Sequence, residues 1–195
     1  THAVGLFVVP VCFGLFVFQK RRKEMIWWLS IMAAVTVFYF IGYMRLGHHP
    51  AMKDAILTSP GNTARYLITL LGSPMAIAES KSLIYALGTI SLFLMALLTV
   101  KKYYLRNARN YSMVAFLFLT AVFITLSRSG FGAEQAYASR YRMIPLLIIA
   151  LECIAVVELL GVEKAKKYLP VLVAITLIFN VVSFKREYEY VKWFR

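Results

Sequence analysis

Acidic side chains are scarce in this sequence. It has 9 Asp and Glu against 22 Lys and Arg, a formal net charge of +13, and charged residues of both signs fill only 16% of its 195 positions. Soluble domains carry ~25% charged residues, so an ordinary water-facing surface is excluded. Cysteine is nearly absent. Cys12 and Cys153 both fall inside apolar runs and lack metal-ligand spacing, so a disulfide scaffold is excluded and both read as small buried hydrophobes. The sequence has no Walker phosphate loop, no HExxH, no Gly-x-Ser-x-Gly elbow and no dinucleotide fingerprint. No organic cofactor and no metal site is therefore expected. There is no internal repeat and no low-complexity segment.

What the sequence has in abundance is hydrocarbon. Hydrophobic residues make up 61% of it, in runs that alternate with short basic loops. About 20 apolar residues match the ~30 Å hydrocarbon core of a bilayer. The pattern predicts an all-α, polytopic transmembrane helical bundle in one domain. Six spans are expected, roughly at 3–18, 25–44, 82–100, 111–127, 143–160 and 168–184. Pro170 is expected in the first turn of the last helix, where its missing N–H costs little. The tail from Lys185 to Arg195 mixes aromatic and charged side chains and is expected along the headgroups. Trp27, Trp28, Tyr103, Tyr104 and Tyr111 form one aromatic belt; Tyr39, Tyr43, Tyr137 and Tyr141 form the other.

Basic residues set the orientation. Loops 20–24, 101–110 and 161–167 hold 11 Lys and Arg in 22 positions; segments 45–81, 128–142 and 185–195 hold 11 in 63 positions. Short, dense basic loops stay cytoplasmic, so both ends of the chain are expected outside. Charge confined to separate short loops forms no continuous groove for nucleic acid. The first span follows no basic segment and precedes Lys20-Arg21-Arg22-Lys23, unlike a signal peptide. The chain is therefore expected to be the C-terminal part of a longer membrane protein. Ala64 to Ala78, broken by Gly72-Ser73-Pro74, is too short to span and is expected as an interfacial or re-entrant helix on the outer face.

The polar residues that carry chemistry are few. The loop from Ser127 to Arg142 concentrates Arg128, Arg140 and Arg142 with Glu134, Tyr137, Tyr141 and two glycines. Arginine offers a planar fork of donors suited to phosphate, and arginines on the outer face run against the topological bias. Arg65 belongs to the same face. Glu134 and the pair His48 and His49 are the acid–base candidates. Adjacent histidines point apart, so they make a poor metal pair. Glu152 lies mid-span, where an acid costs ~2.5–3.5 kcal/mol and must face the bundle. It is expected to bond a Thr, Ser or Tyr of another helix. Glu158 lies near the cytoplasmic end, within reach of Lys164 or Lys166.

The run Arg128-Ser129-Gly130-Phe131-Gly132-Ala133-Glu134-Gln135-Ala136-Tyr137-Ala138-Ser139-Arg140-Tyr141-Arg142 resembles a signature of uncharacterised bacterial polytopic inner-membrane proteins. In those proteins a Gly-rich Gly-Arg-x-Gly stretch precedes Ser-Arg-Tyr at the head of a hydrophobic helix. The Leu71-Gly72-Ser73-Pro74 break resembles a second element of the same group. Their layout is similar to that of surface-polysaccharide assembly enzymes: O-antigen polymerases, ligases and lipid-linked-sugar glycosyltransferases. The resemblance covers the whole chain in layout but only these two motifs in detail. It implies glycosyl transfer from a polyprenyl-phosphate-linked sugar, with membrane lipids as the other partner and the three loop arginines on the phosphates. One departure is that the acidic first outer loop of membrane glycosyltransferases has no counterpart here. The competing expectations are a transporter or flippase subunit with Glu152 in a polar pathway, and a non-catalytic membrane scaffold.

Overall fold

The computed structural model describes residues 8–41, 59–78, 80–137 and 141–193. Every element among them is helical. In chain order they are α1 (Val8–Phe18), α2 (Arg22–Phe40), α3 (Pro60–Gly72), a 3₁₀ segment Ser73–Ala78, α4 (Lys81–Val100), the short α5 (Tyr103–Arg106), α6 (Ala108–Arg128), 3₁₀ turns at Ser129–Phe131 and Ala133–Tyr137, α7 (Met143–Leu160) and α8 (Val162–Trp193).

Four helices are long and apolar enough to cross a membrane: Arg22–Phe40, Lys81–Val100, Ala108–Phe131 and Met143–Leu160. They coincide with the expected second to fifth spans. Of the flanking two, the last differs from expectation. Only Val8–Phe18 of the first is described, as an 11-residue apolar helix. The last is one helix of 32 residues with Pro170 inside it rather than in its first turn. It starts eight residues earlier than a proline start requires, because Gly161, at φ +84, turns the chain tightly after α7. The expected interfacial tail up to Trp193 continues this helix.

Polar side chains within the apolar helices are absorbed locally. Thr36, Thr99, Thr120 and Thr125 each donate to the carbonyl four residues back, at 2.7 to 2.9 Å. A hydroxyl bonded this way leaves no bare donor facing hydrocarbon.

Contacts between turns assign the loops to two ends. The Phe18 and Tyr104 rings lie 5.0 Å apart, and the Tyr103 hydroxyl donates to Glu158 at 2.7 Å. The turns after α1, α4 and α7 therefore share one end, the densely basic one. At the other end Thr63 of α3 donates to Ser129 after α6 at 3.3 Å.

α3 lies across this second end. Its first turn bonds Ser129, while its last residue, Gly72, touches the backbone of Ile84 in the first turn of α4. Both contacts belong to the same end of the bundle, and 13 residues make only ~20 Å of helix. As expected, the segment does not run the length of a span. It is not superficial, however. Tyr66, Thr69, Leu70, Leu71, Gly72 and Ser73 are buried, and the core joins Tyr66, Leu70 and Leu71 to Ala121, Ile124, Ala136, Tyr141 and Ile148. The contact between α3 and α4 is made by glycine. A Cβ on Gly72 would fall on the carbonyl of Ile84, and a Cβ on Gly88 on the carbonyl of Ile68. Small residues let two helices approach to backbone contact.

Candidate functional site: an arginine groove at the sparsely basic end

The N-terminal halves of α3 and α4 meet beside the loop after α6. Arg65 and Tyr85 face each other there. The Arg65 Nε donates to the Tyr85 hydroxyl at 3.0 Å, and the guanidinium carbon stands 6.0 Å from the centre of the Tyr85 ring. Among the described residues no carboxylate pairs with Arg65. With Nε fixed, the four terminal N–H bonds of the fork remain for an anion. These groups line an open groove of about 470 Å³ together with Gly61, Ala64, Ile68 and Thr89. The floor is apolar and the cation stands at its wall.

Tyr137, half-buried in the 3₁₀ turn, is the next neighbour of Arg65. Burial, and then the nearby Tyr85, push its hydroxyl above the ordinary tyrosine range, so it stays neutral beside the cation. Its carbonyl accepts from Arg142 Nε at 3.3 Å. Arg142 therefore closes the loop from the α7 side. Arg128, the last residue of α6, is half-buried with its guanidinium 5.8 Å from the centre of the Phe131 ring. Glu134 is exposed on the Ala133–Tyr137 turn and forms no ion pair with a described arginine.

Arg65, Arg128, Arg142 and Glu134 thus share one end of the bundle, and Arg65 with Arg142 flank Tyr137. Tyr141 is 7% exposed and packs in the core with Ile148. His48, His49 and Arg140 lie outside the described residues. Tyr85 was invisible as a site residue in the sequence, since it stands inside an apolar span. Its only signal is a polar tip one turn from the helix start, facing a neighbour that carries an arginine.

Glu152 is 1% exposed and its two oxygens lie 3.1 and 2.9 Å from the Ser91 hydroxyl of α4. The expected bond to a serine of another helix is present. Glu158 differs from expectation. Its partners are Tyr103 at 2.7 Å and Asn107 at 3.0 and 3.1 Å, while Lys166 pairs with Glu163 at 3.0 Å. Asn110 completes this cluster, donating to the Tyr103 hydroxyl at 2.9 Å and to the Leu151 carbonyl at 3.2 Å. Burial pushes the Tyr103 hydroxyl upward, which keeps it a donor. Tyr103 at the start of α5 and Asn107 at the cap of α6 reach Glu158 at the end of α7 instead of the lysines. Cys12 is half-buried and Cys153 exposed on the bundle surface, against the buried positions expected. Among the described residues no group of three His, Cys, Asp or Glu comes together.

Comparison with protein-family models, with curated proteins and with solved structures finds no match.

Proposed function

We propose that this chain is an integral protein of the bacterial inner membrane that handles a lipid-linked, anionic cell-surface glycan precursor at its outer face. The observation that carries the reading is Arg65. It lines an apolar groove, Tyr85 holds its orientation, and no described carboxylate neutralises it. A fixed guanidinium beside an apolar floor suits a phosphate attached to a hydrocarbon chain. Arg128 and Arg142 add positive charge at the same end. In a glycosyl transfer, the arginines would hold the polyprenyl phosphate as its bond to the sugar breaks. Glu134 would take the proton from the attacking hydroxyl of the acceptor. The rival, a transporter or flippase subunit, rests on the buried Glu152; its Ser91 partner favours a bond between helices instead.

The test is retention of a polyprenyl phosphate by the purified chain in detergent micelles, read by native mass spectrometry. Arg65→Lys keeps the charge but loses the fork, and retention is expected to fall roughly ten-fold, the loss of about one charge-assisted hydrogen bond. Tyr85→Phe frees the guanidinium and should lower retention less. Wild-type retention in both variants overturns the reading.

A further inference from the structure

The densely basic end holds a second cavity, unlike the outer groove. It measures about 420 Å³ and is lined by Phe16, Val17, Lys20, Arg22 and Met25 at the turn between α1 and α2. Three apolar side chains and two cations share one wall. Arg21, between the two cations, is committed to Glu24 at 2.8 Å. Among the described residues no carboxylate pairs with Lys20 or Arg22.

The turn keeps Lys20 at a backbone cost. The Arg21 N–H bonds the Phe16 carbonyl at 3.0 Å, and the Lys20 N–H bonds that of Val17 at 3.1 Å. This bond pair closes a helix with the residue at Lys20 in the left-handed region, where glycine is usual. Lys20 has φ +56. A side chain in this conformation is strained, and the strain persists only where something else holds the residue in place. Lys102, at φ +52, is the other non-glycine residue with positive φ among those described, and it closes α4 at the same end. Two helices therefore end on lysine where glycine would fit without strain.

We propose that the α1–α2 turn is a binding site for an anionic phospholipid, with Lys20 and Arg22 on the headgroup phosphate and an acyl chain against Phe16, Val17 and Met25. Charge complementarity selects this occupant. A zwitterionic lipid would bring its ammonium toward two cations, and a free phosphate would leave the apolar wall unused. The site needs only that the chain lies in a bilayer, and it stands apart from the Arg65 groove.

Trp28 supplies a probe, since its ring lies 6.4 Å from that of Phe16. In a Trp27→Phe, Trp193→Phe background Trp28 is the remaining tryptophan. The chain is reconstituted in phosphatidylcholine vesicles containing brominated phosphatidylglycerol or brominated phosphatidylcholine. A Lys or Arg near the surface gives about a five-fold preference for anionic lipid, so the pair should give roughly 25-fold selective quenching by the glycerol lipid. Lys20→Gly with Arg22→Ala should abolish that selectivity; the glycine relieves the strained turn, and circular dichroism should show unchanged helix content. Lys23→Ala with Lys101→Ala removes as much charge outside the cavity and should leave most of the selectivity. Equal loss in this control overturns the proposal, as does selectivity that survives Lys20→Gly with Arg22→Ala. Reversal of the quenching by soluble glycerol phosphate at millimolar concentration also overturns it, since the site would then take a free phosphate.

Discussion

Two halves of the molecule are built on different principles. In α3, α4, α6 and α7 side chains are buried against each other, glycines bring backbones into contact, and Ser91 meets Glu152 between helices. In α1 and α2 no described residue is buried, and Trp27, Val37 and Phe38 of the pair are between 61% and 74% exposed. An apolar surface of that size is incompatible with water. It suits hydrocarbon, where an exposed Phe costs nothing, and α2 is long and apolar enough to cross a membrane. The first half is held together by shape and by buried polar bonds; the second meets it through rings such as Phe18 and Tyr104 without burying a described residue.

The contrast can be broken most severely where the backbones touch. Gly88→Leu places a side chain on the Ile68 carbonyl, and a loss of about 3 kcal/mol or more is expected, at the top of the overpacking range. Thermal unfolding in detergent, monitored by circular dichroism, checks it; an unchanged midpoint would mean that α3 does not cross α4 there. The next effect separates solvent from packing. Ile31, near the middle of α2, is 56% exposed. Ile31→Lys removes little protein contact yet should cost about 3–4 kcal/mol of insertion in a translocon assay, whereas Ile31→Leu should stay within about 0.5 kcal/mol. A harmless lysine would show that water, not lipid, covers α2.

Ser91→Ala comes third. It leaves Glu152 buried without its described partner, and a loss of about 1–2 kcal/mol is expected. The double variant Ser91→Ala, Glu152→Leu should recover most of it, since removing both partners leaves no unsatisfied group. No recovery would assign Glu152 a role beyond this bond. The smallest expected change is a gain. Lys102→Gly removes a left-handed side chain and should raise stability by about 1 kcal/mol, seen as a higher midpoint in the same melt. A lower midpoint would mean that Lys102 makes contacts worth more than its strain.

The same contrast decides what was legible in the sequence. Lipid-facing helices declare themselves, because hydrocarbon demands an unbroken apolar run; α2, α4, α6 and α7 were visible for this reason. The two ends were visible too, since basic density sorts loops before any contact is known. The interior of the packed half was not. Pro60–Gly72 contains Asn62, Thr63 and Arg65, which reads as interfacial, and its burial depends on α6, α7 and the following loop closing around it. Gly72 announced a break, but nothing in the sequence pairs it with Ile84, or Gly88 with Ile68. Arg65 was a candidate from residue type alone; Tyr85 required the α3–α4 crossing. Pro170 was placed by a rule about helix starts, and the rule failed because Gly161 had already started the helix.

The position of α3 also dictates an order of events during synthesis. Its residues leave the ribosome before Ile84, Ala121 and Ile148, the groups that later surround or touch it. Without a run of ~20 apolar residues it cannot enter the hydrocarbon by itself. Its buried place is made by α4, α6, α7 and the loop between the last two, so it packs inward only once they are there. The groove built on Arg65 is thus a late product of assembly, completed only when α4 stands beside α3.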